Sequence, residues 1–443
     1  MVLVILGILG VAYGFMTSHK SLDEVKTMLA EEHSAHGGAH VAAPDAHHSD
    51  NATESHQSAS ENAGAHAQTN HDDAHAEHVQ HQLANRPWAA LYVAALFFMM
   101  IALGALAFYA IQFAAQAGWS PLLFRVMEGI TAYLLPGALI VLAIAVASGT
   151  VGHYNLFVWM DPDVVAHDKL IQGKSGWLNL TAFVIRGLIF IGGWYLYRHF
   201  SRKFSIAQDN AEEGDNTNFK KSFRIAAGFL VFFIYTESIM SWDWIMSVDP
   251  HWFSTLFGWY VFAGMAVCAV TVIAMVTMYL KSKGLLPNVN DSHIHDLAKY
   301  MFGFSIFWTY LWFSQFMLIW YSNIPEEVTY FITRIEDYKL PFFGMLVLNF
   351  VFPLLILMNS DYKRINWFVI MAGLIILVGH YIDVFNMIMP ATVGDRWDIG
   401  IPEIGSILLF AGLFLFIVFT ALTKAPLVAK RNPFIHESEH FHY

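Results

Sequence analysis

The stretch Ile365-NWFVIMAGLIILVGHYIDVFN-Met387 decides the architecture. From 365 to 379 no side chain is ionisable, and the run stays apolar past His380 and Asp383. About 20 such residues cover the hydrocarbon thickness of a bilayer as a helix. A helix is required because backbone N–H and C=O groups in lipid must pair within their own segment. Nine other runs read the same way: 1–16, 88–114, 126–147, 177–197, 223–246, 256–280, 300–320, 341–358 and 401–423. The first is short and lacks a basic flank, and it reads as a retained span with a shortened start rather than a cleaved leader. The expected class is an all-α polytopic membrane protein of about ten transmembrane helices.

Composition agrees. Of 443 residues, 56% are hydrophobic and 13% charged, against about 25% charged in a soluble chain. Mean hydropathy is +0.46 despite a long polar stretch. There is one cysteine, Cys268, against 22 histidines. A single thiol excludes a disulfide, an iron–sulfur cluster, a C-x-x-C-H haem attachment and a cysteine zinc site within this chain. The net charge of −11 is unsuited to nucleic acid, which asks for a basic face.

Lysine and arginine set the expected orientation. With the N-terminus inside, the inner segments carry 15 of them and the outer segments 8, with Arg186 inside a span. Both termini are therefore expected in the cytoplasm. The segment 17–87 then lies outside. It holds 12 of the 22 histidines and a charge of −8. Ser21-x-x-Glu24 before Val25 reads as a capping box opening a short surface helix. From His33 to Gln82 large apolar residues are almost absent, so this stretch is expected to be disordered or ordered by a partner. Its histidine spacings are irregular, which favours a solvated tail over a specific metal site.

Ionisable residues within a membrane are expensive and mark function by default. The candidates for a proton path or a quinone-side site are His153, Asp161, Asp163, Glu237, Asp243, Asp249, His251, His380, Asp383 and Glu403. Most fall toward the outer side. His380 and Asp383 share a helix face. A carboxylate beside a histidine fixes its tautomer and raises its proton affinity, so the pair suits proton transfer as well as a packed polar contact. Glu128 and Arg186 read as an intramembrane ion pair. Asp249-Pro250 and Asp161-Pro162 also have the form of ordinary turns. A bis-His haem b needs two deep histidines on facing helices, and only His380 is well inside a span. Nucleotide motifs are absent. Any redox metals must therefore sit on partners. Spans two to five and six to nine form two sets of four, and Asp243-WIMSVD-Pro250 then falls over Asp383-VFNMIM-Pro390. That match is small, and it fits an internal duplication.

Longer strings carry a family resemblance. They are Tyr235-TESIMSWDWIMSVDPHWFSTLFG-Trp259, Gln315-FMLIWYSNIPE-Glu327 and Pro341-FFGMLVLNFVFPLLILMNSDYK-Arg364, then Gly379-HYIDVFNMIMPATVGDRW-Asp398 and Ile399-GIPEIGSILLFAGLFLF-Ile417. The chain resembles the ActF family, the second large NrfD-like membrane subunit ("quinone-binding subunit 2") of bacterial alternative complex III. That complex is a quinol:cytochrome c or electron-carrier oxidoreductase.

The resemblance implies two NrfD-like four-helix bundles, 88–250 and 251–390. They are flanked by the first helix, 1–16, a last helix, 391–423, and a cytoplasmic tail, 424–443. It implies the bacterial inner membrane, with the His-rich loop in the periplasm. It also implies an ActC-like sister subunit, periplasmic iron–sulfur and haem c subunits, a terminal oxidase as a further partner, and menaquinol or ubiquinol as the quinone. His153, Asp161 and Asp163 resemble the residues lining the sister subunit's quinol pocket. The expected function is that of a respiratory-complex subunit without redox cofactors of its own, not catalytic alone, supporting a quinone site or a proton pathway. A proton-coupled secondary transporter and a purely structural scaffold are the alternatives.

Overall fold

A computed structural model describes residues 1–35, 61–151 and 155–442, with the backbone alone for His33, Ala35 and residues 61–72. Among the described residues there is no strand, and seventeen α-helices follow one another. They are α1 Val2–Ser18, α2 Leu22–Ala35, α3 Glu61–Ala114, α4 Phe124–Ile130, α5 Leu134–Thr150, α6 Pro162–His167 and α7 Lys169–Lys174. Then come α8 Leu180–Asp209, α9 Thr217–Trp244, α10 Phe257–Ser282, α11 Asp291–Ser322, α12 Pro325–Glu336, α13 Lys339–Leu346 and α14 Phe352–Leu357. The last are α15 Asn366–Val393, α16 Ile401–Leu422 and α17 Ile435–Glu439. A π-helical turn at Val347–Val351 joins α13 to α14.

Nine helical segments among the described residues are long and apolar enough to cross a membrane. A bent pair, Val2–Ser18 with Leu22–Glu32, turns by 86° and makes a tenth if it counts as one span. At 17 residues α1 is ~26 Å long, a little under the ~30 Å of a typical bilayer core. These apolar helices make the chain a polytopic membrane protein.

The helices pack in a repeated order. α3, α5, α8 and α9 touch in sequence, and α9 closes back on α3. α10, α11, α14 and α15 do the same, with α15 closing on α10. α3 and α10 meet at the centre, and both are buried nearly all round. In lipid the driving force between helices is close packing rather than removal from water. Small residues provide it: a methyl on Gly104 of α3 would lie 2.6 Å from the Met265 carbonyl oxygen of α10.

α1 packs along α16 by the same device, through Gly7, Gly10 and Gly14 on one helix and Gly405 and Gly412 on the other. A Cβ on Gly10 would stand 2.8 Å from the Gly405 Cα, so the backbones themselves are in contact. Gly10→Leu is expected to cost about 1–3 kcal/mol through this overpacking. Cross-linking between cysteines placed on α1 and α16 should fall with it, and undiminished cross-linking would refute the contact.

The described parts of the segment 17–87 are largely helical. The capping box forms: Ser21 N–H donates to Glu24 Oε2 at 2.8 Å and Glu24 N–H to Ser21 Oγ at 3.4 Å. α3 begins at Glu61, well before the apolar run, so 61–82, part of the stretch expected to be disordered or ordered by a partner, is helical. The reason is a small satellite core. Ala76 and Val79 of α3 bury against Val25 and Leu29 of α2. Lys26 also pairs with Asp73 at 2.6 Å. Residues 36–60 of that stretch lie outside the described residues.

The two ends of the bundle differ. At the α2 end, Arg396 pairs with Glu32 and Arg86 with Glu403, tying α2 and α3 to the loop before α16. At the other end, the C-terminal tail staples three loops. Lys430 N–H donates to Asp209 Oδ1, Ser438 Oγ to the Trp119 carbonyl, and Asn290 Nδ2 to the Phe441 carbonyl.

Candidate functional site

Asp383 lies on α15, shares a cavity with residues of α12 and α13, and is 2% exposed. Tyr260 Oη donates to its Oδ1. Trp308 Nε1 donates to its Oδ2 at 2.9 Å. His380, one turn earlier and 1% exposed, sits with Nδ1 3.5 Å from Oδ2. The shared face expected from the i,i+3 spacing is therefore present. Trp308 also packs edge-on against the His380 ring, at 5.2 Å between centroids. Gly264 of α10 leaves the room: a Cβ there would lie 3.4 Å from His380 Nδ1 and 3.6 Å from Asp383 Oδ2.

Two small cavities, each about 10 Å³, meet at this carboxylate. Each has the space of roughly one water molecule. The first is lined by Tyr260, Gln315, Arg334, Asp383 and Asn386 among others. The second is lined by Cys268, His380 and Asp383 with apolar neighbours. Neither ring nitrogen of His380 makes a hydrogen bond, its 3.5 Å approach to Asp383 being an ion-pair contact only, and the indole N–H of Trp312 and Oδ1 of Asn386 also lack a hydrogen-bond partner. Buried polar atoms of this kind are normally satisfied, by protein or by ordered water. A carboxylate held only by neutral donors and a titratable ring, beside two water-sized spaces, can take up and hand on a proton.

Arg334 is the unexpected member. It is 4% exposed, its Nε donates to the Asn386 carbonyl at 3.1 Å and its Nη1 to the Tyr330 carbonyl at 2.8 Å. Its guanidinium lies 3.3 Å from the Tyr330 ring centroid. Among the described residues no carboxylate lies within ion-pair distance of it.

Asp243 occupies the matching place on α9, the fourth helix of its own ring. It too accepts an indole N–H, from Trp177 Nε1 at 2.8 Å. Its second partner is a permanent cation, Arg186, at 2.5 Å. This is where the expected Glu128–Arg186 pair fails. Arg186 pairs with Asp243 and stacks over Trp177, 4.2 Å from the ring centroid. Glu128 instead pairs with Arg125 at 2.9 Å and Arg202 at 3.2 Å, and Tyr109 Oη donates to it at 2.9 Å. Arg125 continues to Asp209 at 2.5 Å. Glu128 sits in a network toward the α17 end, out of register with Arg186.

An open cleft of about 570 Å³ adjoins Asp243, lined by Lys174, Trp177, Trp242, Asp249, Trp252 and Phe253 among others. Burial pushes the Lys174 ammonium down from its ordinary range, and the ammonium donates to the Pro250 carbonyl at 2.5 Å. His251 Nε2 lies 2.6 Å from Asp168 Oδ2. The Ile171 N–H and then the His251 ring hold the Asp168 carboxyl below the usual carboxylate range. Asp249 accepts from the His251 N–H at 3.3 Å, so its turn reading holds.

The remaining candidates divide. Asp161 caps α6 by accepting the Asp163 N–H at 2.9 Å, a turn as its Pro neighbour suggests, and Asp163 is exposed. Glu403, 1% exposed, is bound by Arg86 through both oxygens and accepts the Gly400 N–H, which makes it a structural clamp. His153 lies outside the described residues. Glu237 stands apart on α9, buried beside an apolar groove. Among the described residues no group of three metal-ligating side chains converges. The sequence reading missed Tyr260, Trp308 and Arg334. Only a pairing of aromatic N–H and O–H groups with a specific carboxylate gives them away, and that is visible only once the helices are packed.

No family model matches the sequence. A comparison with curated proteins finds no similar one either. The reading of the site therefore rests on the chemistry of the residues themselves.

Proposed function

We propose that this chain is an integral membrane subunit of a respiratory quinol-oxidising complex and that Asp383 is its proton-accepting group. One observation carries the proton role. Of the two matched aspartates, Asp243 is neutralised by an arginine, while Asp383 has only neutral donors and His380. The Arg186 guanidinium favours the charged form of Asp243 and makes the pair a structural contact between α8 and α9. Asp383 has no such cation and lies beside two water-sized cavities, an arrangement that supports a place on a proton path. His380 is positioned to exchange the proton with it, and Tyr260 orients the carboxyl.

Assignment to a quinol-oxidising complex rests on the resemblance of the strings around 235–259, 315–327, 341–364 and 379–417 to ActF of alternative complex III. Two rings of four helices that touch in the same chain order are in keeping with NrfD-like bundles. Under this reading the chain holds no redox cofactor. An ActC-like sister subunit and periplasmic iron–sulfur and haem c subunits carry the electrons, and the α2 end faces the periplasm.

Affinity purification of the tagged chain from its native membrane tests the assignment. Iron and haem c absorbance are expected to copurify with it. Isolation as a lone polypeptide would favour a transporter.

A further inference from the structure

The proton site leaves the open cleft beside Asp243 unused. Its walls come from α7 and the loop before α8, and from the end of α9 and the loop before α10. α8 begins at Leu180 and α9 stops at Trp244, so the cleft sits where these spans reach the water boundary. Trp177, Trp242 and Trp252 line it. Tryptophan collects at that depth because its ring is apolar and its N–H is polar. Trp177 and Phe253 are each about half exposed, which leaves the cleft open at its aromatic edge. Its volume of about 570 Å³ lies within the ~300–1,000 Å³ usual for small-ligand sites.

Three ionisable side chains line the cleft: Lys174, Asp243 and Asp249. Asp243 is compensated by Arg186. The other two keep their charges. Among the described residues no carboxylate lies within ion-pair distance of Lys174 Nζ, which donates to the Pro250 carbonyl. No cation lies within that distance of Asp249, which accepts the His251 backbone N–H. Both side chains are half-buried. Charges drawn partly out of water are costly until something pairs with them. The indole N–H groups of Trp242 and Trp252 also lack a hydrogen-bond partner. The cleft thus offers a cation with spare N–H donors and, separately, an anion.

That pattern complements a phosphodiester carrying a primary ammonium. We infer that the cleft holds the headgroup of a phosphatidylethanolamine, with its phosphate on Lys174 and its ammonium on Asp249. The acyl chains enter the bilayer beside Trp177 and Phe253. An anionic headgroup brings a second negative charge to Asp249 and finds one uncommitted cation. A choline headgroup has no N–H to give the carboxylate. The inference stands on the cleft and not on the quinol-oxidising reading.

The test is native mass spectrometry of the full chain, delipidated and then titrated with phospholipids of identical acyl chains and ethanolamine, glycerol or choline headgroups. One ethanolamine lipid is expected to stay bound at collision energies that strip the other two. Lys174→Gln should lower its retention about tenfold, as for the loss of one charge-assisted hydrogen bond. Asp249→Asn should remove the discrimination, so that the glycerol lipid is retained as well as the ethanolamine lipid. A Cβ on Gly176 meets nothing within 4 Å, so Gly176→Trp fills the cleft without disturbing the packing and should abolish retention. Equal retention of the three lipids by the wild type would overturn the assignment. So would retention unaffected by Lys174→Gln or Gly176→Trp, or a preference that survives Asp249→Asn. Displacement by chain-free glycerophosphoethanolamine at the same concentration would point to a water-soluble ligand and contradict a lipid.

Discussion

Asp383→Ala is expected to destabilise the chain by about 1–3 kcal/mol. The substitution strips the buried Tyr260 hydroxyl and Trp308 indole N–H of their acceptor. An unsatisfied buried polar group costs roughly 1–3 kcal/mol, and interhelical hydrogen bonds inside membranes average nearer 0.6 kcal/mol. The lower part of the combined range is therefore the better expectation. Asp383→Asn keeps a carbonyl oxygen for the Trp308 N–H and can donate its NH2 to the Tyr260 hydroxyl oxygen, so it should recover most of the loss. Thermal unfolding in detergent, followed by tryptophan fluorescence, measures both variants. Equal midpoints for wild type and Asp383→Ala would mean that the carboxylate does not hold these helices together.

Removal of Glu128 should have the larger effect on stability. It is 2% exposed, and it balances Arg125, itself 2% exposed, and Arg202. Breaking a buried ion pair costs about 3–5 kcal/mol because the partner charge is left uncompensated. Asp209 still faces Arg125, which moderates the loss at that arginine but does nothing for Arg202. Glu128→Ala is thus expected near 3 kcal/mol, with a clear fall in folded yield. A double substitution with Arg186→Ala separates the observed network from the pairing suggested by the sequence. Residues without shared partners give additive effects within about 0.5 kcal/mol. Strong non-additivity between 128 and 186 would contradict the geometry.

The fold was largely legible because its chief signal is length of apolar run. Each of the nine spans overlaps the run read from sequence, missing at most three residues at an end, and several helices extend well past it: α8 continues to Asp209 and α3 starts at Glu61. Such overhangs are stabilised by contacts that composition hides, such as Val79 on Leu29, or Lys430 on Asp209. The candidate site was legible in half. The His380–Asp383 spacing on one helix face is local, and periodicity reveals it. Tyr260 and Trp308 lie 123 and 75 residues away in sequence, and both look like ordinary aromatic packing until the helices meet. The Glu128–Arg186 expectation failed for a related reason. Arg125 and Asp209 sit at the ends of apolar runs and read as flanking charges, yet Arg125 is buried and Asp209, at the end of α8, is held by Arg125 and by the Lys430 N–H of the tail.

Matched aspartates on α9 and α15 give the account its shape. Each accepts an indole N–H, from Trp177 and from Trp308, as copies of one ancestral bundle would. They diverge in the second partner, arginine in one and tyrosine in the other. Pro250 and Pro390, seven residues beyond each aspartate, also diverge: the first lies past the end of its helix and the second within it. The two aspartates thus differ in kind: one is an ion pair with Arg186, and the other accepts only from neutral donors.

The most direct measurement is quinol-driven turnover and proton release by the purified complex in proteoliposomes, with wild-type chain and with Asp383→Asn. Assembly and metal content should be equal in the two. Turnover and proton release are expected to fall together by at least tenfold in Asp383→Asn. Equal rates and equal proton release, in a complex that carries the substitution and its full complement of partners, would contradict a proton-accepting role for Asp383.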